Sequence, residues 1–196
     1  MIGLSAPPTR NDQMQTESFQ GERLAIRLCS LQAETMTLEI SRIQTDELEV
    51  FVHLIRTVNH DLERQLWQPD QLTPERLLRD YGLESLYLAR RDGIPVATFV
   101  LIESDPRFWP DTPEGESIFM HKIAVARACK GQHLSSQILD FAAQQVLERG
   151  KKFLRLDTDI TRPALCNLYE RYGFVRVGQR MIGTLECALY ELELGA

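Results

Sequence analysis

The stretch HKIAVARACKGQHLSSQIL, residues 121–139, decides how the rest of the chain is read. A short apolar strand pattern runs into a turn at Lys130-Gly131 and then into an amphipathic helix. That order supplies the physical parts of an anion site. Gly131 relaxes the turn, the first helical amides have no intrahelical acceptor, and the positive end of the helix dipole points the same way. Lys130 adds a cation, and Ser135 and Ser136 add hydroxyl donors. Phosphate turns usually carry several glycines, whereas His133 and Ser135 stand here where small residues are expected. Taken alone, the stretch reads equally as a plain turn before a capped helix. GxxxxGK[ST] is absent, which removes the main support for a P-loop ATPase.

Working outward, LSSQILDFAAQQVLERGKK (134–152) is the clearest helix, with Leu134, Ile138, Phe141, Ala142 and Val146 on one stripe and Gly150 as its stop. FLRLDTD (153–159) is a strand, PALCNLYERYGF (163–174) a helix ending at Gly173, and VRVGQ and ECALYELEL are closing strands. On the other side, SIFMHKIAV (117–125) is a strand preceded by a loop over 104–116. LYLARRDGIPVATFVLIES reads as two strands joined at RDGI. Two helices come before it: one from Asp46, with Asp46 as cap, and one with Thr73 as cap, Pro74 in the first turn and Gly82 at its end. MTLEISRIQ, from Met36, alternates like a first strand; residues 22–33 fit a short helix or a strand, and 1–20 read as a polar tail. The expected organisation is an N-terminal extension, 1–35, and one α/β domain, 36–196, with a mixed sheet flanked by helices.

The chain has 196 residues, 43% hydrophobic and 26% charged, enough for one sizeable core. A net charge of −6 argues against a nucleic-acid partner. The four cysteines, Cys29, Cys129, Cys166 and Cys187, show neither CxxC pairs nor clustered histidines, so free thiols and no metal site are expected. No run of about 18 apolar residues and no signal-peptide pattern occur, so no membrane span is expected and the cytoplasm is the default location.

The element order, together with HKIAVARACKGQHLS, LRLDTD and LYERYGF, resembles the GNAT superfamily of acyl-CoA-dependent N-acetyltransferases from about Met36 to Leu194. The family's coenzyme turn, [Q/R]-x-x-G-x-[G/A], registers on Lys130, Gly131, Gln132, His133, Leu134 and Ser135. Lysine then replaces Arg/Gln, histidine the central glycine and serine the last small residue. The resemblance implies that acetyl-CoA is the co-substrate and that the amides of 131–136 hold its pyrophosphate. It also implies that the backbone around Ile123 and Val125 pairs with the pantetheine arm, where neighbouring strands would have to splay. Tyr169 stands where the family places the tyrosine that protonates the departing thiolate, a task suited to a phenol of pKa about 10. Tyr169 also shares a helical stripe with Leu165, Leu168 and Tyr172, as a core aromatic would. The family's asparagine seven residues earlier is replaced by Arg162.

Acetyl transfer to an amine also needs a base. Glu103 at a strand end and His121 within a strand are equal candidates, each with an ordinary structural reading; Asp157 is expected to brace the sheet or a loop. Acceptor selection falls to two loops, one with Trp67 and Asp70, the other with Trp109, whose aromatic and acidic groups suit a cationic amine. Both tryptophans equally suit core cover or a homodimer contact. The leading reading is direct transfer of acetyl from acetyl-CoA to a small-molecule or peptide amine. The alternatives are a non-catalytic acyl-CoA-binding regulatory module and a coenzyme-free partner-binding domain.

Overall fold

The computed structural model describes residues 38–62 and 65–195. The readings made for the tail, for residues 22–33, for Met36 and for Cys29 lie outside them. From Leu38 onward the chain forms one compact unit. Its elements are β1 (Leu38–Arg42), α1 (Leu48–His60), α2 (Pro74–Tyr81), β2 (Leu86–Arg91), β3 (Ile94–Ile102), β4 (Ser117–Val125), α3 (Leu134–Glu148), β5 (Phe153–Asp159), α4 (Pro163–Tyr172), β6 (Val175–Ile182) and β7 (Leu185–Glu193). The seven strands make one mixed sheet in the order β1-β2-β3-β4-β5-β7-β6. β4 and β5 are parallel and every other pair is antiparallel.

Local chemistry explains most boundaries. Thr73 accepts the Arg76 N–H at the start of α2, Pro74 opens the helix, and Gly82, at φ 74°, ends it. Asp92 and Gly93 both take positive φ in the β2–β3 hairpin, as a tight two-residue turn requires. One expected cap is corrected. The chain enters α1 through a 3-10 turn over Thr45–Glu47, and the Gln44 N–H donates to Glu47 Oε2 at 2.8 Å, so Asp46 does not cap the helix.

Two apolar layers sandwich the sheet. Phe51, Ile55 and Leu77 of α1 and α2 pack on Leu86, Leu88, Val100 and Ala124. On the opposite face, Ile138, Ala142 and Val146 of α3 and Tyr169 of α4 pack on Phe99, Leu101, Met120, Leu154 and Leu156. The sheet is broken at its centre. β4 and β5 pair only over Ser117–Met120 and Phe153–Leu156. Beyond this point β4 continues along β3 while β5 continues along β7, leaving the facing edges of His121–Val125 and Asp157–Asp159 unjoined.

Candidate active site

The site is built around that break. Opposite Phe99, β4 carries an extra residue at Lys122–Ile123, a bulge that places Lys122 at φ 54°. Thr98 donates its hydroxyl hydrogen to the Lys122 carbonyl at 3.3 Å. A left-handed lysine inside a strand is strained, and such strain concentrates at functional positions. Nothing in the sequence announces it.

His121, just before the bulge, packs between Tyr81 of α2 and Phe108 of the 103–116 loop, with ring centroids 5.9 and 5.8 Å away. Each of its nitrogens faces a carboxylate. Nε2 lies 3.1 Å from Asp105 Oδ2, and Nδ1 lies 3.4 Å from Asp157 Oδ1. All three residues are largely buried, yet neither contact has hydrogen-bond geometry, and Asp105 Oδ2, His121 Nε2 and Asp157 Oδ1 have no hydrogen-bond partner among the described residues. Asp105 is aimed by its own turn: Oδ1 accepts the Phe108 N–H at 3.3 Å and its carbonyl accepts the Trp109 N–H at 2.8 Å. Burial pushes the Asp157 carboxyl up to about 6; His121 opposes that rise and the charge of Asp105 adds to it. The carboxylate of Asp157 faces the imidazole, a neighbour that its place in the sequence did not announce. Asp105 was not singled out from sequence at all.

Lys122 follows His121 at the bulge and feels the charge of Asp157. Its ammonium lies 4.9 Å from the Trp67 ring centroid, and burial brings its pKa down to about 8, opposed by the charges of Asp157 and Asp80. Trp67 is held by buried Asn59, whose Nδ2 donates to the Trp67 carbonyl at 2.9 Å while its Oδ1 accepts the Leu66 and Trp67 N–H groups at 2.8 and 3.1 Å. Asn59 too went unnoticed in the sequence, because a polar residue at a helix end looks solvated.

The other named residues separate. Glu103 pairs with Lys151 at 2.9 Å and Arg149 at 3.4 Å, is half exposed, and is held below the usual carboxylate range mainly by the Lys151 hydrogen bond. It is not brought to His121 and is a poor proton acceptor. Trp109 covers Phe119 at 6.0 Å and the Arg155 guanidinium at 5.4 Å rather than joining Trp67. Asp70 is exposed in the 3-10 turn Pro69–Leu72. Tyr169 is buried on the opposite face against Phe174 and Tyr190, both centroids 5.8 Å away. Burial, with added repulsion from Asp157 and Cys166, raises its pKa.

At the end of β4, Gly131 and His133 both take left-handed conformations, φ 79° and 57°. His133 is the residue just before α3 and is exposed, and the first α-type bond of the helix runs from the Gln137 N–H to the His133 carbonyl. The amides of Leu134, Ser135 and Ser136 therefore lack helical acceptors. A Cβ built on Gly131 meets nothing within 4 Å. Ile123 and Val125 lie on the unjoined edge of β4 leading to this turn.

A split mixed sheet with an anion-ready turn at the end of the splayed strand is an acyltransferase arrangement. The model of the acetyltransferase (GNAT) family matches residues 52–174, and the chain belongs to that family. The chain is 33% identical over 115 residues to the N-acetyltransferase YesJ of Bacillus subtilis strain 168, itself uncharacterized, an alignment covering 57% of this chain and 62% of the relative. A GNAT-family acetyltransferase structure from Listeria monocytogenes 4b F2365 superposes with a TM-score of 0.61 at 21% identity, over 80% of this chain and 95% of that one. The Salmonella typhimurium protein yncA, solved with its cofactor acetyl-CoA, superposes with a TM-score of 0.62 at 12% identity, over 82% and 95%.

Proposed function

We propose that the chain transfers acetyl from acetyl-CoA to a primary amine by direct transfer in a ternary complex. The observation that carries this reading is the convergence of His121, Asp105 and Asp157 on one rim of the gap between β4 and β5. The family membership of the chain supports it.

The residues present fit the coenzyme. The amides of 131–136, with Lys130 and the Ser135 and Ser136 hydroxyls, would hold the pyrophosphate. The free edge at Ile123 and Val125 would pair with the pantetheine arm. When bound there, acetyl-CoA supplies the activated acetyl group. An incoming ammonium would donate to Asp105 Oδ2 and His121 Nε2, two acceptors already 3.1 Å apart, and surrender a proton to the imidazole. Asp157 steadies the ring from its Nδ1 side. Tyr169, kept protonated by burial in the α3–α4 layer, is the hydroxyl donor for the leaving sulfur. Much of the acceleration would come from fixing amine and acetyl group together.

The acceptor pocket is bounded by Tyr81, Phe108, Trp67 and Lys122. Lys122 suits an acceptor with an anionic group near its amine, such as an amino acid or a peptide end. In this reading residues 36–196 form the acetyltransferase domain, preceded by the 1–35 extension, and the enzyme works in the cytoplasm. No helix among the described residues is long and apolar enough to cross a membrane. The test is calorimetric titration with acetyl-CoA and desulfo-CoA, followed by an amine panel scored by release of free thiol. Micromolar coenzyme binding with amine-dependent thiol release supports the reading. Binding without turnover on any amine favours a regulatory module, and absence of binding sinks both.

A further inference from the structure

We propose that Asp105, His121 and Asp157 form a binding site for one divalent transition-metal ion of the zinc class, held by His121 Nε2 and Asp105 Oδ2, with Asp157 fixing the ring from its other nitrogen. A neutral imidazole carries one N–H. With that hydrogen on the Nδ1 side, Nε2 and Asp105 Oδ2 are both acceptors, 3.1 Å apart without hydrogen-bond geometry. A proton on Nε2 would join them only along the hydrogen-bond direction that this contact lacks, whereas a metal ion lying off the N···O line would take both lone pairs.

The spacing suits a metal ion. Donors bound at about 2.0–2.2 Å lie roughly 2.9–3.5 Å apart at bond angles between octahedral and tetrahedral. The observed 3.1 Å falls inside that interval. One donor atom from each of the three side chains lies within 4.8 Å of the other two. The side chains are only 7%, 10% and 14% exposed, and the three atoms facing the gap have no hydrogen-bond partner among the described residues. Asp105 Oδ1 is already occupied by the Phe108 N–H, which leaves Oδ2 for the ion. Asp157 stands 3.4 Å from the non-ligating nitrogen, on the side from which metal-bound histidines are ordinarily supported, and a small turn of the ring on metal binding would complete that bond. A mixed imidazole and carboxylate set favours zinc, cobalt, nickel or copper over calcium or magnesium.

Two protein ligands, with water completing the shell and the cations Lys122 and Arg107 acting on Asp157, set the expected affinity in the micromolar range rather than tighter. The two ligands come from a loop and a strand and the supporting Asp157 from another strand, so no spacing in the sequence marks them. The ion would occupy the lone pair that the acetyl-transfer reaction assigns to the incoming amine. Metal should therefore compete with the acceptor; this consequence, unlike the binding itself, rests on the proposed activity.

The test uses tag-free, metal-stripped full-length protein without acetyl-CoA. Zn²⁺ is titrated by calorimetry and Co²⁺ by its visible absorption. One ion should bind per chain with micromolar Kd. His121→Gln and Asp105→Asn should each weaken binding at least about tenfold and Asp157→Asn by roughly tenfold, while Cys129→Ser and His60→Gln leave it unchanged. Thermal melts establish that each variant folds, and Asp105→Asn, a nearly isosteric change, decides the question should His121→Gln not fold. Absence of binding to the wild type, or binding that survives both ligand substitutions, overturns the site. With acetylation measured on the same preparations, Zn²⁺ that raises KM for the amine and spares kcat supports the shared lone pair; Zn²⁺ that lowers kcat alone overturns it. Metal binding that follows the variants in a preparation without acetyl transfer upholds the metal site and defeats the activity reading.

Discussion

The Lys122 ammonium sits 4.9 Å from the centre of the Trp67 ring and, among the described residues, forms no ion pair. Burying this ammonium costs stability, because cation–π attraction of about 0.5–2 kcal/mol and the more distant charges of Asp157 and Asp80 return only part of the desolvation penalty. In the proposed function Lys122 serves the acceptor rather than the fold. Lys122→Met should raise the melting temperature. It should also raise KM by about tenfold for acceptors bearing a carboxylate beside the amine, the loss of one charged hydrogen bond, and leave KM for plain amines unchanged. An equal loss for both acceptor classes would refute the anion-binding role of Lys122.

The coenzyme turn makes a paired prediction. Gly131 is open on its Cβ side, so Gly131→Asp adds a charge where the pyrophosphate is proposed to lie, together with the strain of φ 79°. Acetyl-CoA affinity should fall by more than tenfold while the fold survives. His133 has the opposite sign. It holds φ 57°, a conformation that glycine adopts freely, and its side chain is exposed. His133→Gly should stabilise the protein by about 0.5–1 kcal/mol through relief of the left-handed backbone and leave acetyl-CoA affinity equal or better. Weaker binding in His133→Gly would show that the imidazole itself holds the coenzyme.

The scaffold of this site was legible in the sequence and its centre was not. The 3.6-residue stripe of α3, the cap-and-stop pair Thr73/Gly82, the Gly173 stop and the Asp92-Gly93 hairpin are local signals, and each lies where expected. The parallel contact of β4 with β5 ends at Met120 and Leu156, and no local pattern encodes where two strands part. The same holds for the bulge, since lysine gives no sign of positive φ. Asp105, His121 and Asp157 meet only because a loop turn, a bulged strand and the edge of a separate strand converge. Glu103 at a strand end looked equivalent to His121 within one, and no local pattern showed that Lys151 and Arg149 approach the carboxylate.

That separation sets up a direct comparison of the two candidate bases. His121→Gln should lower kcat by roughly 10²–10⁴-fold, the usual range for loss of a general base, with little change in acetyl-CoA affinity. Glu103→Gln should leave kcat unchanged and act on stability alone. Its folded pKa lies below the unfolded value of about 4.3, mainly because of Lys151. Its contribution is therefore present at neutral pH and is lost as pH falls through the folded pKa. Because the side chain is half exposed, the effect should be a few tenths of a kcal/mol. Wild type and Glu103→Gln should differ slightly at pH 7 and converge below about pH 4. A large kcat loss in Glu103→Gln would restore it as the base.

Tyr169 is buried in the α3–α4 layer, and burial raises its pKa, so the phenol stays protonated at neutral pH and can donate. Tyr169→Phe keeps the ring that packs on Phe174 and Tyr190 and removes only the hydroxyl. The expected result is a fall in kcat of about 10²-fold with coenzyme affinity and melting temperature close to wild type. Unchanged turnover would make Tyr169 an ordinary core aromatic and leave water to protonate the thiolate.

Asn59 connects the fold to the acceptor pocket. It ends α1, is almost fully buried, and satisfies three backbone groups of the Leu66–Trp67 segment with one side-chain amide. Asn59→Ala strands those groups away from their partner at a cost of about 1–3 kcal/mol. Asn59→Asp keeps an acceptor for the two N–H groups but faces the Trp67 carbonyl with a second acceptor, so it should lose stability as well. Because Trp67 backs Lys122, either change should raise KM for the acceptor more than KM for acetyl-CoA, whose proposed turn lies at the start of α3. Urea melts with steady-state kinetics on the same samples check both parts. A stability loss with an unaltered acceptor KM would mean that the loop is anchored for the fold alone and that Trp67 does not shape the pocket.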